Sequence, residues 1–248
     1  DAQIIREYDL EKQAEHGEAK GYDPNFRVNY FENIILRTNF TSDVPRIEFV
    51  NGITNEAIDI RPAAQYQIGY SVDYKWFAIG LGFSPNFLLT SKGQAELNNS
   101  KSFTASLNFF YSDRWRQELK YNYYQGFFTD DIDADFSNTE LQGIEGSTYF
   151  IMNRNFSFRA HYAQTERQLK SAGSFIPRLN YLYSKTRPNI ITNFSLEPIY
   201  DISSLGVIAQ IGYIHTFVIK NKWFATVGLH SGLGYNYSEY KSADSSSS

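Results

Sequence analysis

A hydrolase needs a general base, and the four histidines of this 248-residue chain, His16, His161, His215 and His230, are the first candidates for one. A nucleophile must lie within hydrogen-bond reach of such a base. His230 and Ser231 are adjacent, so on a strand they point to opposite faces. His161 shares parity with Ser157, but four residues of extended chain separate them by roughly 13 Å. The segment "TDDIDADFSNTELQG" sets Asp131, Asp133 and Asp135 at alternate positions, as calcium loops do. Its sixth position, where such loops use glycine, is Phe136, and its twelfth is Gln142 in place of a bidentate glutamate. With no cysteine there is also no thiolate and no disulfide. These residues predict no enzyme, no metal and no cofactor, and a solvated loop at 130–140.

The remaining chemistry-bearing side chains are charges at inward parity on alternating strands: Arg37, Asp73, Arg116, Glu118, Lys120, Arg159, His161 and Arg178. They would line either a cation-rich path for small anions or a lumen filled by ion pairs and hydrogen bonds. Both signs on one strand, as in Arg116, Glu118 and Lys120, favour the filled lumen.

The elements that carry these residues have a period of two. In "YQIGYSVDYKWFAIGLGF" the apolar set Tyr66, Ile68, Tyr70, Val72 and Tyr74 alternates with Gln67, Gly69, Ser71 and Asp73. Phe77, Ile79, Leu81 and Phe83 then alternate with Ala78, Gly80 and Gly82. The same pattern puts Phe103, Leu107, Phe109, Trp115, Leu119, Tyr121, Phe156, Phe158, Tyr181 and Tyr183 on the apolar face. Strands reverse their side chains at each step, so each segment has one greasy and one polar side. Trp76, Phe110 and Leu182 carry the inward parity and would narrow a lumen.

Aromatic residues are 17% of the chain, too many tyrosine hydroxyls for a soluble core to satisfy easily, whereas a tyrosine at a headgroup boundary keeps its hydroxyl in water. No apolar run reaches the ~18 residues of a spanning helix. The net charge of −4 gives no sign of a nucleic-acid partner. Strands are expected at 27–40, 45–51, 63–74, 75–84, 102–112, 114–125, 144–153, 155–165, 176–187, 190–197, 206–219 and 222–235. Tight turns near 74–75, 112–113, 153–155, 187–189 and 220–222 alternate with long polar stretches at 85–101, 126–143, 166–175 and 198–205. That alternation suits an outer-membrane barrel, with short periplasmic turns and longer outer loops. A soluble lipocalin-like barrel or sandwich is the competing reading. The fold class expected is therefore all-β: a transmembrane antiparallel up-and-down β-barrel of about twelve strands.

The stretch "IRPAAQYQIGYSVDYKWFAIGLGFS" resembles a poorly characterised family of outer-membrane β-barrels of the Bacteroidota, at Pro62, Gly69, Tyr70, Tyr74, Lys75, Trp76, Gly80 and Gly82. "RQLKSAGSFIPRLNYLYSK" is similar to its most specific motif, carried here by Arg167, Gln168, Ser171, Ala172, Gly173 and Ser174. "IGYIHTFVIKNKWFATVGLHSGLGY" fits its late hairpin. The resemblance implies location in the bacterial outer membrane and architecture, but no activity. The family ends on a strand that finishes near an aromatic residue, where this sequence reads "YKSADSSSS"; one further hairpin would bring the barrel to about fourteen strands.

The expected organisation is a periplasmic or plug-like extension at 1–25, a barrel at 26–241 and a polar tail at 242–248. Ile4, Ile5, Tyr8 and Leu10 would form one side of a short amphipathic helix in the extension. The expected partners are outer-membrane lipids and other outer-membrane proteins. The expected role is that of a structural or accessory subunit of a larger insertion or secretion assembly, the alternative being a passive pore for small solutes. In the expected topology 86–100 and 130–140 face the exterior, and the turns at 112–114 and 153–155 face the periplasm.

Overall fold

The computed structural model describes residues 10–30, 32–42, 45–50, 57–89, 100–130, 136–163, 165–188, 199–220 and 223–242. In chain order its elements are α1 (Leu10–Lys20), β1 (Arg27–Asn29), β2 (Ile34–Thr41), β3 (Ile47–Val50), β4 (Ala57–Pro62), β5 (Gln67–Tyr74), β6 (Phe77–Phe83), β7 (Lys101–Phe110), β8 (Trp115–Phe128), β9 (Phe136–Phe150), α2 (Phe158–Tyr162), β10 (Glu166–Gln168), β11 (Ala172–Arg187), β12 (Ile199–Ile219) and β13 (Trp223–Ser242). A short 3-10 turn at Asn86–Leu88 precedes β7. The protein is all-β and antiparallel.

Nine strands lie side by side in the order β13, β12, β11, β9, β8, β7, β6, β5, β2. Among the described residues β13 and β2 do not pair with each other, so these residues do not form the closed barrel expected from the sequence. The two-residue turn Lys75–Trp76 joins β5 to β6, with Lys75 in the left-handed region at φ 54°. It lies at the same end of the sheet, the near end, as the β7–β8, β9–β11 and β12–β13 connections. The β6–β7, β8–β9 and β11–β12 connections lie at the far end.

Register assigns the two faces. One cross-strand row runs Leu36, Val72, Ile79, Leu107, Leu119, Gly146, Tyr181, Val207, Tyr235. The adjacent row runs Arg37, Ser71, Gly80, Ser106, Lys120, Glu145, Leu182, Gly206, Asn236. The first row lies on a bare face, where Ile79 and Leu81 are 42% and 50% exposed. The second lies on the face that other elements cover. A slip of one residue would exchange the two rows. Gly146 leaves room on the bare face for the Tyr181 ring, which a side chain there would strike.

Both ends of the covered face carry an apolar cluster. At the near end Ile151, Phe156 and Ile176 are fully buried, with Phe110, Tyr149 and Phe158 beside them. At the far end the β3–β4 hairpin brings Ile58 and Ile60 onto Tyr124, Phe127 and Phe136. It docks where β8 bulges at Gly126 (φ 82°), beyond which Phe127 and Phe128 leave β7 and pair with β4. A Cβ at Gly126 would lie 2.9 Å from the Ser100 backbone, so conformation and space both favour glycine there.

The structure corrects several expectations. Residues 155–165 are not a strand: 151–171 forms a long near-end connection holding α2 and β10. Ser157 caps α2 by accepting the Ala160 N–H at 2.9 Å, and Phe158 stacks on Tyr162 four residues on, at 4.4 Å between ring centroids. Over so short a span, apolar residues at alternate positions also satisfy i, i+4 spacing. Phe156 and Phe158 are therefore core residues, not bare-face ones. The expected strand 27–40 divides into β1, which pairs with β10, and β2, in the main sheet. The described residues of the expected loops at 126–143 and 198–205 are largely strand, since hydrogen-bond pairing carries β8, β9 and β12 on and Phe127 and Phe136 pack in the far-end cluster. Trp76 sits exposed on its turn and stacks on the bare-face ring of Phe109, so it does not point inward. β11 and β12 are direct neighbours; the strand expected at 190–197, like Ile4, Ile5 and Tyr8, lies outside the described residues.

Candidate functional site

The near end of the covered face is closed by a small unit made of α1, β1, α2 and β10. Its centre is the carboxylate of Glu166. Glu166 Oε1 accepts from Asn29 Nδ2 at 2.7 Å, and Oε2 accepts from Ser157 Oγ at 2.6 Å and from Arg27 Nη1 at 3.1 Å. Arg27 Nη2 donates to Asp113 Oδ2 at 2.8 Å, and its guanidinium lies 3.6 Å from the Tyr22 ring centroid. Gln13 of α1 is buried and exchanges two hydrogen bonds with the Asn29 backbone. One ionic cluster thus ties the N-terminal segment, the β7–β8 turn and the β9–β11 connection together. Burial pushes the Tyr22 hydroxyl pKa far up and lowers that of His16.

Further contacts anchor this cap to the sheet. Arg159 Nη1 donates to the Lys75 carbonyl at 2.5 Å, and its guanidinium stands 4.1 Å over Phe110. Arg37 Nη1 donates to the Tyr162 carbonyl at 2.5 Å while its Nη2 holds Asp73 at 2.6 Å. Arg114 Nε donates to the Ile151 carbonyl at 3.1 Å.

A polar chain then crosses the covered face. Arg116 Nη2 contacts Asn108 Oδ1 at 2.5 Å and Glu118 Oε2 at 3.1 Å. Glu118 accepts from the Tyr149 hydroxyl at 3.3 Å, and Arg178 donates to that hydroxyl at 3.4 Å and to Gln210 Oε1 at 2.7 Å. Arg116 is boxed by rings, with the centroids of Tyr162 and Tyr149 at 4.6 and 4.9 Å. Farther along lies a recess of about 750 Å³ lined by small and polar residues, including Gly69, Gly80, Gly82, Thr104 and Ser106. Gly69 pairs with Gly82 and Ser71 with Gly80, so two adjoining strands present almost no side-chain bulk there.

Of the charges read from the sequence, Arg37, Asp73, Arg116, Glu118, Lys120 and Arg178 share the covered face. Arg159 and His161 belong to the same end of the molecule but reach it from the α2 segment, because 155–165 is no strand. His161 is held below its usual pKa, first by burial and then by the Arg116 charge. Among the apolar candidates, Tyr66, Ile68, Tyr70, Phe77, Ile79, Leu81, Phe103, Leu107, Phe109, Trp115, Leu119, Tyr121, Tyr181 and Tyr183 keep the parity of the bare face. Tyr66 stacks there on Phe40 at 5.5 Å. Among the described residues no group of three or more His, Cys, Asp or Glu is arranged to hold a metal.

The Arg27–Asp113–Glu166 cluster was missed by sequence reasoning, although the Arg-Gln-x-x-Ser-Ala-Gly-Ser motif borders it. Gln168 accepts the Ser157 N–H at 2.7 Å and donates to the carbonyls of Asn155 and Phe26 at 2.8 and 3.0 Å. Ser171 accepts the Val218 N–H at 2.9 Å, and Ser174 that of Asn153 at 3.0 Å. The motif fastens the cap to β11 and β12.

Fold and site together define an antiparallel β-sheet protein with an apolar bare face, a polar covered face and a capped near end. Residues 21–248 match the family described as a domain of unknown function, DUF4421, and the chain belongs to that family. No curated protein and no solved structure matches it.

Proposed function

We propose that this chain is an integral β-barrel of the bacterial outer membrane, stoppered at its periplasmic end, with a structural or accessory role in a larger outer-membrane assembly for protein insertion or secretion. Closure of the edges β2 and β13 into a complete barrel is part of the proposal. The observation that carries it is the inversion of the two rows: Val72, Ile79, Leu107 and Leu119 on the bare face against Ser71, Gly80, Ser106 and Lys120 on the covered one. In water that arrangement would expose a broad apolar surface; in a bilayer it satisfies both sides. Tyr121 and Tyr123 in the far half of β8 and Tyr237 toward the end of β13 lie at bare-face parity and suit a headgroup boundary.

The accessory reading is favoured over the pore by the cap. Three arginines, Arg27, Arg37 and Arg159, bind it to the sheet through side-chain and backbone acceptors. Membrane fractionation, co-purification of intact complexes and planar-bilayer recording test the proposal together. Recovery with outer-membrane proteins in stoichiometric amounts and an absence of channel steps is the expected result. Large ohmic steps that shrink when Arg116 or Arg159 is altered would replace it with a passive solute pore. Recovery in the soluble fraction would refute the membrane assignment itself.

A further inference from the structure

We propose that the covered face holds a binding site for a small oxyanion, a carboxylate or phosphate group, with Arg116 as its principal donor. Arg116 is 4% exposed, and its Nε and Nη1 have no hydrogen-bond partner among the described residues. The surrounding rings attract the guanidinium through their faces, but they do not accept its in-plane N–H groups. Two unmet charged donors in a buried place are costly, and a native fold tends to supply them with an acceptor.

The space for that acceptor is present. A cavity of about 180 Å³ touches Arg116, Arg37, Asn108 and Phe110. The 750 Å³ recess shares Arg37, Asn108 and Glu118 with it, so the cavity is the floor of the recess. Gly69, Gly80 and Gly82 line the recess and let the side chains of Asn39, Ser106 and Gln67 lie across them. Charge has the right sign as well. The floor itself is balanced, Arg37 and Arg116 against Asp73 and Glu118, and Lys120 in the recess above gives the two spaces together one positive charge in excess. Lys120 makes no ion pair among the described residues, while the other four are paired as Arg37–Asp73 and Arg116–Glu118. Nε–H and Nη1–H leave the guanidinium on different sides, and Nη2 between them already serves Asn108 and Glu118, so an oxyanion on the floor would accept from one of the two unmet donors and leave the other to water. The polar walls would receive whatever the anionic group is attached to.

The site is built from one sheet and the end of α2, and does not depend on where the protein resides. The test uses the full chain in detergent, in a chloride-free buffer, with inorganic phosphate and acetate titrated separately by calorimetry. Saturable one-to-one binding of at least one of them is expected, and which one answers separates phosphate from carboxylate recognition. Arg116→Lys keeps the charge but loses the two unmet donors, and should weaken binding at least tenfold. Lys120→Gln, at a partly exposed position, should weaken it severalfold with the fold unchanged, and decides the matter if the Arg116 variant does not fold. Absence of saturable binding to the native chain, which would mean that water alone fills the cavity, overturns the proposal. So does unchanged affinity in either folded variant.

Discussion

Arg27 and Glu166, 139 residues apart in the chain, meet in a 3.1 Å ion pair whose side chains are almost wholly withdrawn from solvent. Asp113 takes the other arm of the same guanidinium. Removing one member of a buried pair strands the other without a counter-charge, which costs about 3–5 kcal/mol. Arg27→Met should therefore release the near-end cap. Glu166→Gln should do likewise, because the amide places an N–H donor against donors from Asn29, Ser157 and Arg27. The measurement is urea-dependent proteolysis of the N-terminal segment. The double variant should cost clearly less than the sum of the single ones; strict additivity would show that the two residues do not act as a pair.

The two rows make opposite demands on substitution. Ile79→Arg or Leu107→Arg places a charge on the bare face and should cost about 2–4 kcal/mol if that face meets lipid near mid-membrane. Ser106→Arg, next to Leu107, turns instead toward the recess and should cost less. Folding yields into lipid vesicles would rank the three. Equal tolerance of Leu107→Arg and Ser106→Arg would contradict a lipid-facing row.

Orientation can be read chemically, because the chain has no cysteine of its own. Lys220→Cys marks the near end and Asn86→Cys the far end, and both positions are exposed. With the cap in the periplasm, an impermeant thiol reagent should label Asn86→Cys in intact cells and leave Lys220→Cys unlabelled until the membrane is opened. The reverse pattern would invert the topology.

The sequence made the parity of 66–83 and 101–125 readable because most apolar residues there have a polar or glycine neighbour, and a sheet turns that contrast into two faces. It said little about 136–143 or 199–205, where apolar residues such as Phe136, Leu141, Ile202 and Leu205 do not alternate regularly and pairing with β8, β11 and β13 keeps the chain extended. It misled at 156–162, where the spacing of Phe156, Phe158, Ala160 and Tyr162 fits a strand and the Ser157 cap selects a helical turn. The Gln168 motif was visible as a pattern, but its role depends on Ser157, Asn155 and Phe26, none of which its own spacing identifies. Arg27 was invisible for the same reason: its partners lie in segments that meet only after the sheet has formed.

Acidification should loosen the cap before it disturbs the sheet. His16 and His161 both have pKa values held below 6.5, in each case first by burial. For His16 the nearby Asp113 opposes this and Lys20 adds to it; for His161 the Arg116 charge adds to it. A histidine whose folded pKa is depressed binds fewer protons in the folded state than in the unfolded one between those two values. Its contribution to stability is therefore complete above about pH 6.5, declines as pH falls below that, and reaches its lowest level once pH passes the folded pKa. Cap release, followed by the proteolysis assay at pH 7.5 and 5.5, should occur at lower urea at the acidic pH. His16→Gln with His161→Gln should flatten that difference, since neither amide titrates. A wild-type cap that is equally stable at both values, or a double variant with the same pH dependence as the parent, would show that these two imidazoles do not govern it.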